Sequence, residues 1–282
     1  MLKRALNHMA GPGLPWTEFL ELAKNLNCIG VEFRNDLPGK LFDGTSPQVV
    51  GAVAQAAGLR ILALAEVKAF NDWSDAKRNE AAALMPIAKA CGAEKVSLIA
   101  RNDCQGMSAS ERKANLDTAL RELKPLLDEH DLVGLIEPLG FETCALRDKA
   151  EAVEAIEALN ARDRFCIVHD TFHHAAAGGG AIFPEHTGIV HISGVVKPNL
   201  KATELRDPYR VLVDENDVLG NVEQVAKLLD QGYNGPVSFE PFSLEVLTLA
   251  DPGSALAKSF SYIEKCLQQG NGRLGFCPIK LG

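Results

Sequence analysis

Four short apolar runs in the second half of the chain each carry, at or near their end, a side chain able to hold a metal ion. "LVGLIEP" closes on Glu137, "FCIVHD" on Asp170 and "PVSFEP" on Glu240, while "GIVHIS" holds His191. Each has an ordinary explanation on its own. Asp170 can cap the helix that follows it, a strand-end glutamate can be the first solvated residue, and a histidine in an apolar run can be a hydrogen-bonded core residue. Together they ask for more, because three carboxylates brought to one place repel strongly unless a cation neutralises them. Three carboxylates with one imidazole form a mostly hard donor set. The expected cofactor is therefore one divalent ion, with Mn2+ favoured, Mg2+ equally suited to the oxygens, and Co2+ or Zn2+ admitted by the histidine.

Other chemistry-bearing residues lie close by in sequence. His173 follows Asp170 by three residues in "HDTFHHAAAGGG" and is expected to bind substrate or carry a proton, the rival being a surface loop histidine. His169 should point away from Asp170, since neighbours on a strand face opposite sides. Glu32 ends "CIGVEF" and Glu66 ends "RILALAE". Both are expected to reach the substrate, or else to pair with a cation such as Arg34 or Lys68.

Residues on separate runs converge only if the fold brings the run ends together. Apolar runs near residues 3–8, 28–33, 60–66, 94–99, 132–137, 165–170, 188–193 and 236–240 read as buried parallel strands. Segments of helical period lie between them, with Trp16, Phe19, Leu20, Ala23 and Leu26 on one stripe and Val222, Val225 and Leu229 on another. Ser46 before Pro47, Ser74 and Ser108 read as helix N-caps, and Gly58, Gly92 and Gly232 as left-handed helix ends. The alternation predicts an α/β fold, a single (β/α)8 barrel over residues 1–269, with the glycine-rich 270–282 as a loose tail. In such a barrel the C-terminal strand ends form the active face. The first strand–helix turn, "NHMAGPGLPW", lacks the glycine spacing of a dinucleotide site.

The formal net charge of −8 argues against nucleic acid as a partner. Seven scattered cysteines fit reduced thiols, hence a cytoplasmic protein, and no apolar run has the length of a membrane span or signal peptide. A small molecule is the expected partner, with self-association open.

The order Glu137, Asp170, His191, Glu240 on strands five to eight resembles the xylose-isomerase-like barrel superfamily of sugar isomerases and epimerases. "DTFHHAAAG", "VEFRNDLP" and "LALAEVKAFND" are similar to segments of its inosose (2-keto-myo-inositol) isomerases, and the likeness runs from "ALNHM" to "SFEPFSLE". The resemblance implies metal ligation by the quartet, proton shuttling by Glu137 and Glu240, and substrate contacts from His173. Arg210 is kept in "YRVLVDENDVLGN", where that family carries a substrate-side arginine, although the flanking glycines are lost. The implied activity is isomerisation or epimerisation of a cyclic polyol ketone or ketose through an enediolate, as in inositol catabolism. A dehydratase on the same scaffold and a non-catalytic sugar- or metal-binding barrel are the alternatives. An apurinic endonuclease shares the barrel, but the acidic charge disfavours it.

Overall fold

A computed structural model describes residues 2–270. Eight parallel strands close into a barrel in sequence order, each paired with the next and the eighth with the first. They are β1 (Arg4–Asn7), β2 (Gly30–Arg34), β3 (Arg60–Lys68), β4 (Lys95–Ile99), β5 (Val133–Glu137), β6 (Phe165–Asp170), β7 (Thr187–Ile192) and β8 (Val237–Phe239). All eight runs expected from the sequence are present to within a few residues. The tail expected at 270–282 lies, apart from Gly270, outside the described residues.

The helices that surround the barrel are α1 (Trp16–Asn25), α2 (Pro47–Ala56), α3 (Asp75–Cys91), α4 (Ala109–His130), α5 (Lys149–Ala158), α6 (Thr171–Ala176), α7 (Asn221–Asp230), α8 (Leu244–Leu247) and α9 (Pro252–Gly270). Their starts follow local chemistry. Ser74 Oγ accepts the Lys77 N–H, and Ser108 forms a reciprocal box with Glu111. Ser46 precedes Pro47 at the first helical position without a side-chain bond. Gly58, Gly92 and Gly232 have φ of 76°, 74° and 95°, as a left-handed helix end requires. On α7 the buried stripe is Val222, Val225 and Leu228, with Leu229 only half-buried. The buried face thus runs through Leu228 rather than the expected Leu229.

The strands sort their residues by parity. Outward-facing Leu6, Val31, Phe33, Ile136, Ile167, Val190, Val237 and Phe239 join the large core shared with helix residues such as Phe19, Leu20, Leu120 and Phe260. Ala5, Leu62, Ala63, Leu135, Val168 and Ile189 form a small separate apolar cluster. Two residues beyond Ala5, Leu135, Val168 and Ile189 come Asn7, Glu137, Asp170 and His191. The period-two alternation thus stacks a polar layer directly above an apolar plug. His169 has the opposite parity and bonds Gln224 of α7 through Nε2 (3.0 Å), as expected from the strand.

Candidate metal centre

Glu137, Asp170, His191 and Glu240 come together in the polar layer, all buried, each offering one donor atom within 4.8 Å of the others. Glu137 and Asp170 end β5 and β6, His191 sits one residue before the end of β7, and Glu240 follows β8. Asp170 does both jobs considered from its sequence. Its Oδ1 accepts the His173 N–H (2.9 Å) at the start of α6, leaving Oδ2 to face the centre.

His191 has the strongest sign of a ligand. Its Nε2 lies 3.0 Å from the Glu32 carboxylate, which is fully buried and also accepts the Ser238 hydroxyl (2.6 Å). The contact with Glu32 takes up Nε2 and leaves Nδ1 as the ring nitrogen that faces the centre. Nδ1 has no hydrogen-bond partner although it is buried, and it faces Glu240 Oε2 at 3.2 Å and Glu137 Oε1 at 3.6 Å. A buried imidazole nitrogen that makes no hydrogen bond and faces carboxylate oxygens fits a divalent ion.

Electrostatics point the same way. Five carboxylates (Glu32, Glu66, Glu137, Asp170 and Glu240) crowd this end of the barrel against two buried arginines. Arg34 reaches Glu240 Oε1 (2.8 Å), Asp36 and Glu66, and Arg210 reaches Asp170 Oδ2 (2.6 Å) and Glu240 Oε2 (3.1 Å). The arginines relieve part of the repulsion, and a surplus of negative charge remains. Burial and the neighbouring Glu240 push the Glu137 carboxyl up to about 7, with partial relief from His191. Burial pushes Glu66 up to about 7 as well, opposed by Arg34. Burial also disfavours charge on Glu240, but His191, Arg210 and Arg34 outweigh it and hold that carboxyl far below the usual range. His191 is raised well above its ordinary value, since Glu32 and Glu240 overcome its burial, so an ion held at Nδ1 would replace a proton there.

A cavity of about 780 Å³ opens over the layer, lined by Glu137, Glu240, Arg210, His173, Glu66 and Phe242 among others. His173 is placed from two sides. Its Nδ1 accepts the Gly140 N–H (3.2 Å), and a methyl group at Gly140 would collide with the His173 carbonyl and Ala176. Because Nδ1 accepts, the ring proton sits on Nε2, a donor, and burial lowers the His173 pKa in keeping with that form. Glu66 also lines the cavity, its main chain gripped by Asn35 in both directions (2.9 and 3.2 Å).

Glu32 differs from expectation. It is absent from the cavity wall and lies under His191, because Arg34, two residues nearer the mouth on the same face of β2, takes the outer place. Arg210 does line the cavity, yet it is 1% exposed and clamped between the carboxylates and the rings of Phe172 and Phe242. Asn7, whose amide donates to Glu240 Oε1 (3.2 Å), and Ser238 are components that sequence reasoning did not single out, while Arg34, expected only as a partner of Glu32 or Glu66, pairs with Glu66 and also reaches Glu240. Parity on β1, β2 and β8 was the available signal. Glu32→Gln is expected to weaken binding of a divalent ion by about 10- to 100-fold, since the amide orients His191 less well and withdraws a charge. Titration with Co2+ followed by its visible spectrum checks this, and an unchanged affinity counts against the role given to Glu32.

A closed parallel barrel with a carboxylate–histidine cluster at its C-terminal face defines the class. Residues 20–266 match the xylose isomerase-like TIM barrel family, and the chain belongs to it. A search of the curated proteins found no match. Among solved structures, a xylose isomerase domain containing protein from Salmonella typhimurium LT2 is 28% identical, with a TM-score of 0.84 over 95% of this chain and 97% of that one. The IolI protein with a bound zinc atom is 19% identical, TM-score 0.83, over 97% and 100%. The 3-keto-D-glucoside 4-epimerase YcjR from E. coli is 14% identical, TM-score 0.65, over 94% and 100%. No described helix is long and apolar enough to cross a membrane.

Proposed function

We propose that this protein is a divalent-metal-dependent isomerase or epimerase of a polyhydroxylated ketone, with 2-keto-myo-inositol as the first substrate to test. The observation that carries the reading is the unlike environment of two carboxylates in one site. Glu240 is ion-paired to Arg34 (2.8 Å) and Arg210 (3.1 Å), whereas Glu137 has only His191, at 3.6 Å, as an ion-pair partner among the described residues. Two groups separated in this way divide acid and base work between them. With no arginine to hold its charge, Glu137 is the stronger base of the two. Glu137 removes the proton beside the carbonyl, and Glu240, at the other edge of the quartet, serves the return step.

The residues that would hold the ion are Glu137, Asp170, His191 and Glu240. Their oxygen-rich set favours Mn2+, and the zinc in the IolI structure supports a divalent ion more generally. When bound, the ion supplies Lewis acidity toward the carbonyl and the adjacent hydroxyl of the substrate. His173 donates from Nε2 to a substrate oxygen. Glu66 accepts a hydroxyl farther from the quartet, and Leu139, Phe141 and Phe242 offer apolar surface to ring carbons.

Product analysis by NMR separates this reading from its nearest rival. The Mn2+-loaded protein with 2-keto-myo-inositol is expected to give an isomeric inosose carrying solvent deuterium at one carbon. A deoxygenated diketone would identify a dehydratase instead, and a substrate panel left without any deuterium would indicate a binding protein.

A further inference from the structure

A second cavity, of about 300 Å³, lies behind α6 and shares Asp170 and His173 with the wall of the candidate metal centre. Its remaining lining includes Arg112, Arg147 and Lys149, three cations in a chain of net charge −8. Of the five cations lining the main cavity, Arg34, Lys77, Arg101 and Arg210 are each ion-paired to a carboxylate and Lys68 is not. The three here bond only neutral partners among the described residues. Lys149 Nζ contacts His174 Nδ1 (2.6 Å), Arg147 donates to the Gly140 and Ala176 carbonyls (2.7 and 2.9 Å), and Arg112 to the Met107 carbonyl (2.8 Å).

The carboxylates of the wall are engaged elsewhere. Asp148 Oδ1 caps α5 through the Ala150 N–H (2.8 Å), and Asp170 is taken up by His173 and Arg210. Glu151 is exposed and feels the charge of Arg112 without contacting it as an ion pair. Lys149 is 8% exposed, and a buried ammonium without a counter-charge is costly. Burial accordingly pushes it down to about 8, against the pull of Asp170 and Asp148.

We propose that this cavity is a binding site for a small oxyanion, a phosphate or carboxylate group, held by Lys149, Arg147 and Arg112. The volume suits a compact anion, and the unused guanidinium donors match planar or tetrahedral oxygens. The site is separate from the reaction proposed above and does not depend on it. Its anion would sit against the far side of the wall that carries His173.

Thermal unfolding of the full-length, ion-loaded protein tests this, with inorganic phosphate and, in parallel, malonate at matched ionic strength. At an anion concentration a hundredfold above Kd, the midpoint is expected to rise by roughly 5 °C. The shift should vanish in Lys149→Gln and in Arg112→Gln but persist in Arg101→Gln, whose side chain faces the main cavity. A response to phosphate alone assigns a phosphate ligand, and a response to malonate alone assigns a carboxylate. No shift with either anion overturns the proposal, as does a shift that survives in Arg112→Gln. Arg112 is only half-buried, so that variant keeps the test decisive even if Lys149→Gln fails to fold.

Discussion

Glu137→Gln and Glu240→Gln are each expected to slow exchange of the substrate α-proton with solvent deuterium by about 10²- to 10⁴-fold, the range lost when a positioned acid or base is removed. An amide keeps one oxygen directed at the ion but cannot accept and return a proton. Ion content measured alongside is therefore part of the test. Asp170→Asn is the comparison, since that residue caps α6 and offers a ligand oxygen without a place in the proton relay. Excess Mn2+ should restore much of the rate in Asp170→Asn and little in either glutamate variant. Exchange at the wild-type rate in Glu137→Gln would remove the observation on which the proposed function rests.

Arg210→Ala is expected to produce the largest loss of stability, about 3–5 kcal/mol, the usual cost of stripping one partner from a buried ion pair. Arg210 is almost wholly buried and bonds Asp170, Glu240 and Ser193. Its removal leaves two carboxylates facing Glu137 with Arg34 as the remaining buried arginine nearby. In a chain of this size the midpoint of thermal unfolding should fall by roughly 10 °C. A divalent ion should recover part of the loss, because it neutralises the same oxygens. Urea unfolding with and without Mn2+ measures both effects. A loss below about 1 kcal/mol would mean that the carboxylates do not depend on Arg210 for charge balance.

The outline of this site was legible because a parallel barrel writes its active face into the sequence. Each of three buried strands is a short apolar run, and the change to a carboxylate marks where it emerges into the mouth. Glu137, Asp170 and Glu240 were readable for that reason, and His191 by its position among them. The supporting residues were harder to place because closure of the barrel decides their partners. Glu32 meets His191 across 159 positions and Ser238 across 206. Nothing local to "CIGVEF" indicates whether Glu32 or Arg34 occupies the outermost layer. The same closure brings Arg34 and Arg210 onto Glu240. The carboxylate repulsion that suggested an ion from sequence is thus already partly offset by the chain itself, and the case for the ion rests more on the orphaned Nδ1 of His191. Lys149 and its cavity left no trace in the strand pattern, since α4, α5 and α6 build it from helix and loop positions.

The central claim is one divalent ion held by Glu137, Asp170, His191 and Glu240. Titration of metal-stripped protein with Mn2+, followed by EPR of the free ion, tests it most directly. One ion per chain should bind to the wild type, and the tight binding should be lost in His191→Ala, which removes the one nitrogen donor of the quartet. Failure of the wild type to bind an ion, or equal affinity in His191→Ala, would contradict the account.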